Sequence, residues 1–543
     1  MMMKNNFASF SKKLEPFYGS PSKRSLSTLF SYLLFRSNIF FVQLSYFLTL
    51  SLVGYLALSV FTKPRTSSST HPFIPNELDL FFTSVSAATV SSMSTIEMEV
   101  LSNSQLIILT ILMLLGGEAF ISMLGIQIER SKFPKHQNTD TTITVNDMKN
   151  SKSILEQIEL YSISHSCPEK DEYSNNLFDI HNNNESLKNN SVRYLGYVVL
   201  GYLILVHLVG SALLSSYISL FSSAREVLNT KGIKTQTFSV FTIVSTFANC
   251  GFVPTNENVI VFKRNSGLLL ILISQILLGN TLYPVCLRLI IWSLGKITKR
   301  REFGYLLRNC KEIGYDHLLS SVQSTLLALT VFGFILVQLI LFCSLEWNSE
   351  AMDGMTFYQK FVAALFQVVN SRHAGESVVD ISTISSAILV LFVVMMYLPP
   401  YTSFFPINYK DHQKKVSSDD NNTSTGHGRK TLLLECFIVS PLSYLSIFVI
   451  LISITERKNM KNDPLNFNVL NVIIEVVSAY GNVGFSTGYS CKRRLQQEGD
   501  CTDRYYGFSG KWSSEGKFIL IIVMFFGRLK KFSFKGGKAW KLS

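Results

Sequence analysis

The residues whose types and spacing could do chemistry in this 543-residue chain are small residues at four matched places. SAATVSSMST from Ser86, STFANCGFVP from Ser245, VNSRHAGESV from Val369 and SAYGNVGFST from Ser478 align on Ser92, Gly251, Gly375 and Gly484. Three segments carry serine six positions earlier, at Ser86, Ser245 and Ser478, and the third has Val369 there. Each follows an apolar stretch too short to cross a bilayer. Non-helical backbone at membrane depth survives only where protein or a water-filled path satisfies its polar groups. Four such loops around one axis would present a ring of carbonyl oxygens, which can replace the hydration shell of a cation. Glycine suits that ring because it reaches positive φ without a Cβ penalty. One glycine alone would say only that two helices pack closely in lipid. Three glycines and a serine at equivalent positions favour a selectivity filter.

Other chemistry finds little support. The nine histidines are dispersed, with no metal or triad spacing, and the eight cysteines show no metal-ligand pattern. A GxxxxGK[ST] loop for ATP is absent from the sequence. The chain therefore reads as no enzyme, with no cofactor and no metal beyond transported monovalent cations.

The elements that must position the loops are membrane spans. Charged residues are 16% of the chain, against about a quarter in soluble proteins, while 47% is hydrophobic and mean hydropathy is +0.25. The net charge of +13 could indicate a nucleic-acid partner. It is discounted here because the basic residues lie in short tracts between apolar runs, as the positive-inside rule expects. Candidate spans are 38–61, 105–127, 194–221, 267–292, 318–345, 385–405, 432–454 and 516–534. With eight spans, the basic N-terminus, the tract Lys296–Lys311 and the tail with Lys535, Lys538 and Lys541 fall on one side, which should be cytosolic. The polar segments 129–192 and 409–430 land there too and read as solvated, poorly ordered linkers. A second half of the repeat lies in the following spans, where LLGGE, LLGNT, YLPPY and FFGRL align on Gly116, Gly279, Pro399 and Gly527. The fourth copy holds an extra outer loop, YSCKRRLQQEGDCTDRYYGFSG.

The expected fold is an all-α polytopic membrane protein, with four pseudo-symmetric helix–pore loop–helix units around one central pore. Pore units are expected at 38–127, 194–292, 318–405 and 432–534. Between and around them lie a cytosolic N-terminus at 1–37, loops at 128–193, 293–317 and 406–431, and a tail at 535–543.

VSSMST, STFANCGFVPTNEN, QVVNSRHAGES and SAYGNVGFSTGYSC resemble the pore loops of the plant HKT transporters, in the Trk/Ktr/HKT superfamily. The resemblance runs from the first span through GRLKKF. It implies cation transport through a single-chain pore in the plasma membrane, with the chain paired as a homodimer; the charge pattern above puts both termini in the cytosol. Serine at the first filter position, here Ser92, resembles the sodium-selective class. Passive sodium permeation is therefore the leading expectation, and sodium–potassium symport through the same pore is the alternative.

Further residues carry weaker signals. Asn249, two positions before Gly251, is expected near the ion path. Arg528 aligns with Gly117, Asn280 and Pro400 inside the membrane. Hydropathy instead ends its span early, at Lys530 and Lys531. Either the basic side chains reach toward headgroups, or Arg528 puts charge near the inner pore; the family pattern favours the second. Glu118 should face protein or water. Pro399 and Pro400 must interrupt the sixth span, as a kink or as a gate beneath the filter. His373 is expected to be a structural hydrogen-bonding group. Cys491 and Cys501 could pair in an oxidising exterior. A serine at position 92 is expected to favour a backbone geometry different from glycine's.

Overall fold

A computed structural model describes residues 39–60, 75–132, 170–399, 401–402, 441–494, 501 and 503–533. Residues up to Tyr46 form one compact unit, described only from Ile39, and Phe47–Ser543 form another that holds all four loops. Secondary structure among the described residues is α-helix with short 3-10 turns.

The chain repeats one pattern. A lead helix is followed by a short pore helix, a loop, a 3-10 turn and a trailing helix. The pore helices are Glu77–Ala88, Thr235–Ala248, Phe357–Asn370 and Val469–Gly481. The 3-10 turns are Met98–Val100, Ile260–Phe262, Ile381–Thr383 and Phe508–Lys511. Trailing helices then start at Asn103, Ser266, Ser386 and Ser514. The lead helices are Ile39–Val60, Lys170–Leu220, Ser321–Glu346 and Pro441–Thr455.

Local sequence fixes several helix starts. Ser102 with Gln105, Ser320 with Gln323 and Thr356 with Gln359 form reciprocal capping boxes. Each satisfies two backbone donors that the first turn leaves open. The lead helices show large apolar side chains outward, such as Phe332, Leu336, Val337 and Ile340. The pore helices bury polar ones, including Ser84, Thr242, Ser245, Glu475 and Ser478. Polar residues inward and apolar residues outward is the arrangement lipid imposes. The chain is a polytopic helical membrane protein.

Among the described residues, three helices are long and apolar enough to cross a membrane, Phe40–Val60, Ser186–Leu220 and Ser321–Glu346, and up to five spans result if each of two bent pairs counts as one. Those pairs, Asn103–Gly116 with Glu118–Gln127 and Ser266–Gly279 with Tyr283–Thr298, bend by 58° and 81°. Of the other expected spans, Ser386–Tyr397 and Pro441–Thr455 are shorter, and Ser514–Ser533 carries Glu515, Lys517, Arg528 and Lys530.

The expected linker at 129–192 is partly helical. One helix runs Glu118–Lys132, and the second lead helix begins at Lys170, well before the boundary expected at 194. Tertiary packing anchors the C-terminal end of this stretch. Val192 and Leu195 share a buried cluster with Phe303 and Leu306 of the amphipathic helix Arg301–Arg308. The Ser191 hydroxyl donates to the carbonyls of Leu187 and Glu302. The other expected linker, 409–430, and the expected tail lie outside the described residues.

Candidate selectivity ring

The four pore helices end in the same way. A backbone N–H just past each helix turns back to a carbonyl five residues earlier. Ser91 bonds Ser86 at 2.8 Å, Cys250 bonds Ser245 at 2.8 Å, Val483 bonds Ser478 at 3.0 Å, and in the third copy Gly375 bonds Asn370 at 3.3 Å. Asn249 and Asn482 sit at equivalent left-handed caps, with φ of +57° and +48°. Asparagine tolerates that conformation. The Asn249 amide donates to the Phe247 carbonyl at 3.1 Å, and the Asn482 amide reaches Ser91 Oγ in the first loop at 2.7 Å.

Two residues later the chain turns left-handed in every copy. Ser92, Gly251, Gly375 and Gly484 have φ of +53°, +89°, +65° and +103°. Serine was expected to favour a backbone geometry different from glycine's; Ser92 shares the positive φ but stays where L residues can sit, while Gly251 and Gly484 lie further out. Ser92 accepts the left-handed turn, and the asymmetry lies in its side chain.

These positions touch in sequence around a closed circuit. A Cβ on Gly251 would overlap the Ala374 carbonyl oxygen, and one on Gly375 would overlap that of Val483. One on Gly484 would overlap Ser92 Cβ, and Ser92 Oγ lies 3.3 Å from where a Gly251 Cβ would be. The second loop thus meets the third, the third the fourth, the fourth the first and the first the second. All four residues line one cavity of about 730 Å³. Its wall includes Ser94, Thr255, Ser377, Thr487, Asp380 and Asp503.

The loops are tied together above the circuit as well. Lys231 bridges Glu99 at 2.6 Å and Glu257 at 2.5 Å. Burial works against the charged lysine, but the hydrogen bonds to Glu257 and Glu99 outweigh it and hold its pKa above the ordinary value. In the extra loop of the fourth copy, Cys491 and Cys501 form a disulfide with Cα atoms 5.9 Å apart, and the Cys491 N–H donates to Asp503 at 2.6 Å.

The second half of the repeat has a steric reason. A Cβ on Gly116, Gly279 or Gly527 would overlap the carbonyl oxygen of Ala88, Phe247 or Tyr480 respectively. Each of those carbonyls lies four residues before the ring position. The aligned glycines let each trailing helix rest directly on the end of its pore helix. In the third copy Pro399 takes that place, and the helix stops at Tyr397. The Pro399 carbonyl accepts from the Arg372 guanidinium and from Thr402 Oγ1, the latter at 2.7 Å. Pro400 lies outside the described residues.

Arg528 is 2% exposed within the unbroken helix Ser514–Ser533 and donates to the Gly116 carbonyl at 2.5 Å. Its guanidinium lies 5.8 Å from the Phe47 ring centre. It is thus held by protein, and its helix continues past Lys530. Glu118 stands at the bend of the first trailing pair, 4.0 Å from His317 Nε2. His373 is buried and hydrogen-bonds Thr281 Oγ1, the structural role expected of it.

One feature escaped the sequence. Glu376, directly after Gly375, is fully buried and accepts a hydrogen bond from Thr246 Oγ1 at 2.5 Å. Its signal was available in the repeat, since the equivalent residues Met93, Phe252 and Phe485 are all apolar.

The TrkH family, described as cation transport protein, matches residues 181–535, more than half of the chain. The sodium transporter HKT1 of Arabidopsis thaliana is 52% identical over 483 residues, covering 89% of this chain and 91% of that protein. The cation transporter HKT1;3 of Oryza sativa subsp. japonica is 49% identical over 544 residues, covering 99% and 96%. Among solved structures, the potassium transporter TrkH from Vibrio parahaemolyticus covers 95% of this chain and 86% of its own, at 13% identity and a TM-score of 0.47. With a family match over most of its length and close full-length relatives among the plant HKT transporters, the chain belongs to the TrkH family of cation transport proteins.

Proposed function

We propose that this chain is a sodium-selective transporter of the plasma membrane. Cations move passively through the ring of Ser92, Gly251, Gly375 and Gly484. The observation that carries the reading is the closed circuit of four left-handed loop positions, with a side chain at only one of them. In this reading the loops turn their main-chain carbonyls toward a shared path, where such oxygens can stand in for water around a cation. Ser92 sets the first quadrant apart. That the Arabidopsis thaliana relative is a sodium transporter agrees with that assignment.

In this reading the eight apolar stretches are eight crossings, with both termini cytosolic. The cavity of about 730 Å³ is then an outer vestibule. The disulfide beside it fits an oxidising exterior. Asn249 supports the second loop from behind the ring, and Arg528 places a positive charge below it. The helix break between Tyr397 and Pro399 forms a gate on the inner side. The chain works as a homodimer with a separate pore in each copy.

The test is reversal potential in voltage-clamped oocytes expressing the full chain. Wild-type reversal should follow external sodium and ignore potassium. In Ser92→Gly it should also move with potassium, by up to about 60 mV for a tenfold gain in preference. Wild-type reversal that follows both ions would instead establish symport. Identical potassium-to-sodium ratios in wild type and Ser92→Gly would remove the sodium assignment.

A further inference from the structure

Behind the ring, the residue following each ring position is Met93, Phe252, Glu376 or Phe485, and all four are buried. Three are apolar. The third copy alone puts a carboxyl group there, with 0% exposure. Burying a carboxyl without hydrogen bonds is costly, and three sister positions show that an apolar side chain fills the same place.

The carboxyl is placed on a seam between two loops. Thr246, five residues before Gly251 in the second pore helix, donates its hydroxyl to Glu376 Oε1 at 2.5 Å. The Glu376 N–H donates to Asn370 Oδ1 at 3.1 Å, at the end of the third pore helix. One residue thus joins the ends of two pore helices, through its carboxyl to Thr246 and its backbone N–H to Asn370. On the same seam, a Cβ on Gly251 would overlap the Ala374 carbonyl, so the two loops already lie at closest approach. The positions equivalent to Thr246 in the first and fourth copies are Ala87 and Ala479, which can make no such bond. Gly375 and Ser377, on either side of Glu376, line the cavity, and Glu376 does not. It therefore cannot act as a direct ligand from that cavity and must act through the backbone it holds.

We propose that Glu376 is a specificity-determining positioning residue. Its hydrogen bond with Thr246 fixes the spacing of the second and third ring positions, and thereby the cation preference. The inference rests on the reading of the ring as the filter. A one-residue tether suffices because selectivity needs only a small change in ring geometry or carbonyl field.

The experiment measures sodium and potassium reversal potentials, together with surface-labelled protein, in oocytes expressing the full chain. The variants are Thr246→Val, Thr246→Ser, Glu376→Met, Glu376→Gln, the double Thr246→Val/Glu376→Met, and Ser92→Gly as the ring control. Thr246→Val and Glu376→Met should each shift the permeability ratio at least threefold, and the double variant no further than either, because they remove one shared bond. Thr246→Ser and Glu376→Gln keep a donor and an acceptor and should hold the wild-type ratio. A buried residue of purely structural importance would change surface level and leave the ratio alone. If Ser92→Gly shifts the ratio and Thr246→Val does not, the tether is overturned and the ring reading stands. If neither shifts it, both fall. A shift in Glu376→Gln as large as in Glu376→Met also overturns the tether, since charge and not the bond would be responsible. Should Glu376→Met fail to reach the surface, Thr246→Val against Thr246→Ser decides.

Discussion

Gly484→Ala should be rescued in part by Ser92→Gly, and the structure says by how much. A Cβ on Gly484 would overlap Ser92 Cβ, with Ser92 Oγ at 2.9 Å and the Ser91 carbonyl oxygen at 3.1 Å. The backbone there has φ of +103°, beyond the left-handed region that L residues visit. Two costs follow. Dihedral strain is about 1–3 kcal/mol, and overpacking against Ser92 adds about 1–3 kcal/mol. Gly484→Ala should therefore lose roughly 2–6 kcal/mol, a large share of a typical folding stability. Ser92→Gly removes the overlapping side chain and should restore the packing share, leaving the dihedral share. Gly251→Ala and Gly375→Ala offer no such relief, because their Cβ atoms would meet the main-chain carbonyls of Ala374 and Val483. The assay is thermal unfolding of the full chain in detergent, read by size-exclusion chromatography, with sodium current per surface molecule as a second measure. Strictly additive effects of Gly484→Ala and Ser92→Gly would refute the reasoning, as would equal rescue of all three alanine variants.

Three further outcomes are expected. Gly375→Arg should abolish cation current with protein still at the surface, because a side chain there meets the Val483 carbonyl and the Gly484 backbone and crowds the ring; normal current would take Gly375 out of the filter. Asn249→Asp removes an amide donor to Phe247 and adds a buried charge beside the second loop, so the sodium-to-potassium ratio should move severalfold; an unchanged reversal potential would place Asn249 off the ion path. Arg528→Gln should raise current roughly two- to twentyfold, the upper end being one charge about 10 Å away at an effective ε of about 20. A fall in current at equal surface density would instead assign Arg528 to holding the Gly116 carbonyl.

The repeat was legible because its cause is steric and local. Ring glycines and the trailing-helix glycines both mark places where a Cβ has no room, and such places tolerate one residue type. Repeat alignment and hydropathy disagreed over Arg528, since hydropathy counts charge without seeing the Gly116 carbonyl that receives it. The start of the second lead helix was missed for the opposite reason. Its polar residues carry no apolar period, and the packing of Val192 and Leu195 on Phe303 and Leu306 is visible only in the fold. Ser92 shows the limit of propensity, for its neighbours impose a left-handed turn that serine alone disfavours. The Thr246–Glu376 bond joins residues 130 positions apart, and only the folded chain brings them together.

The overlap between positions 484 and 92 has a consequence for how such a pore can be encoded. A homotetramer repeats every substitution four times, so a serine at the ring would meet another serine at every seam. In this geometry a side chain at one ring position occupies the space that its neighbour must leave empty. Four copies could not all carry one, but a single polypeptide with four separately specified quadrants can. Joining the quadrants in one chain therefore makes available a class of asymmetric rings closed to symmetric assemblies. It also lets ion preference be adjusted one quarter at a time, while the other three quadrants keep the pore closed on itself.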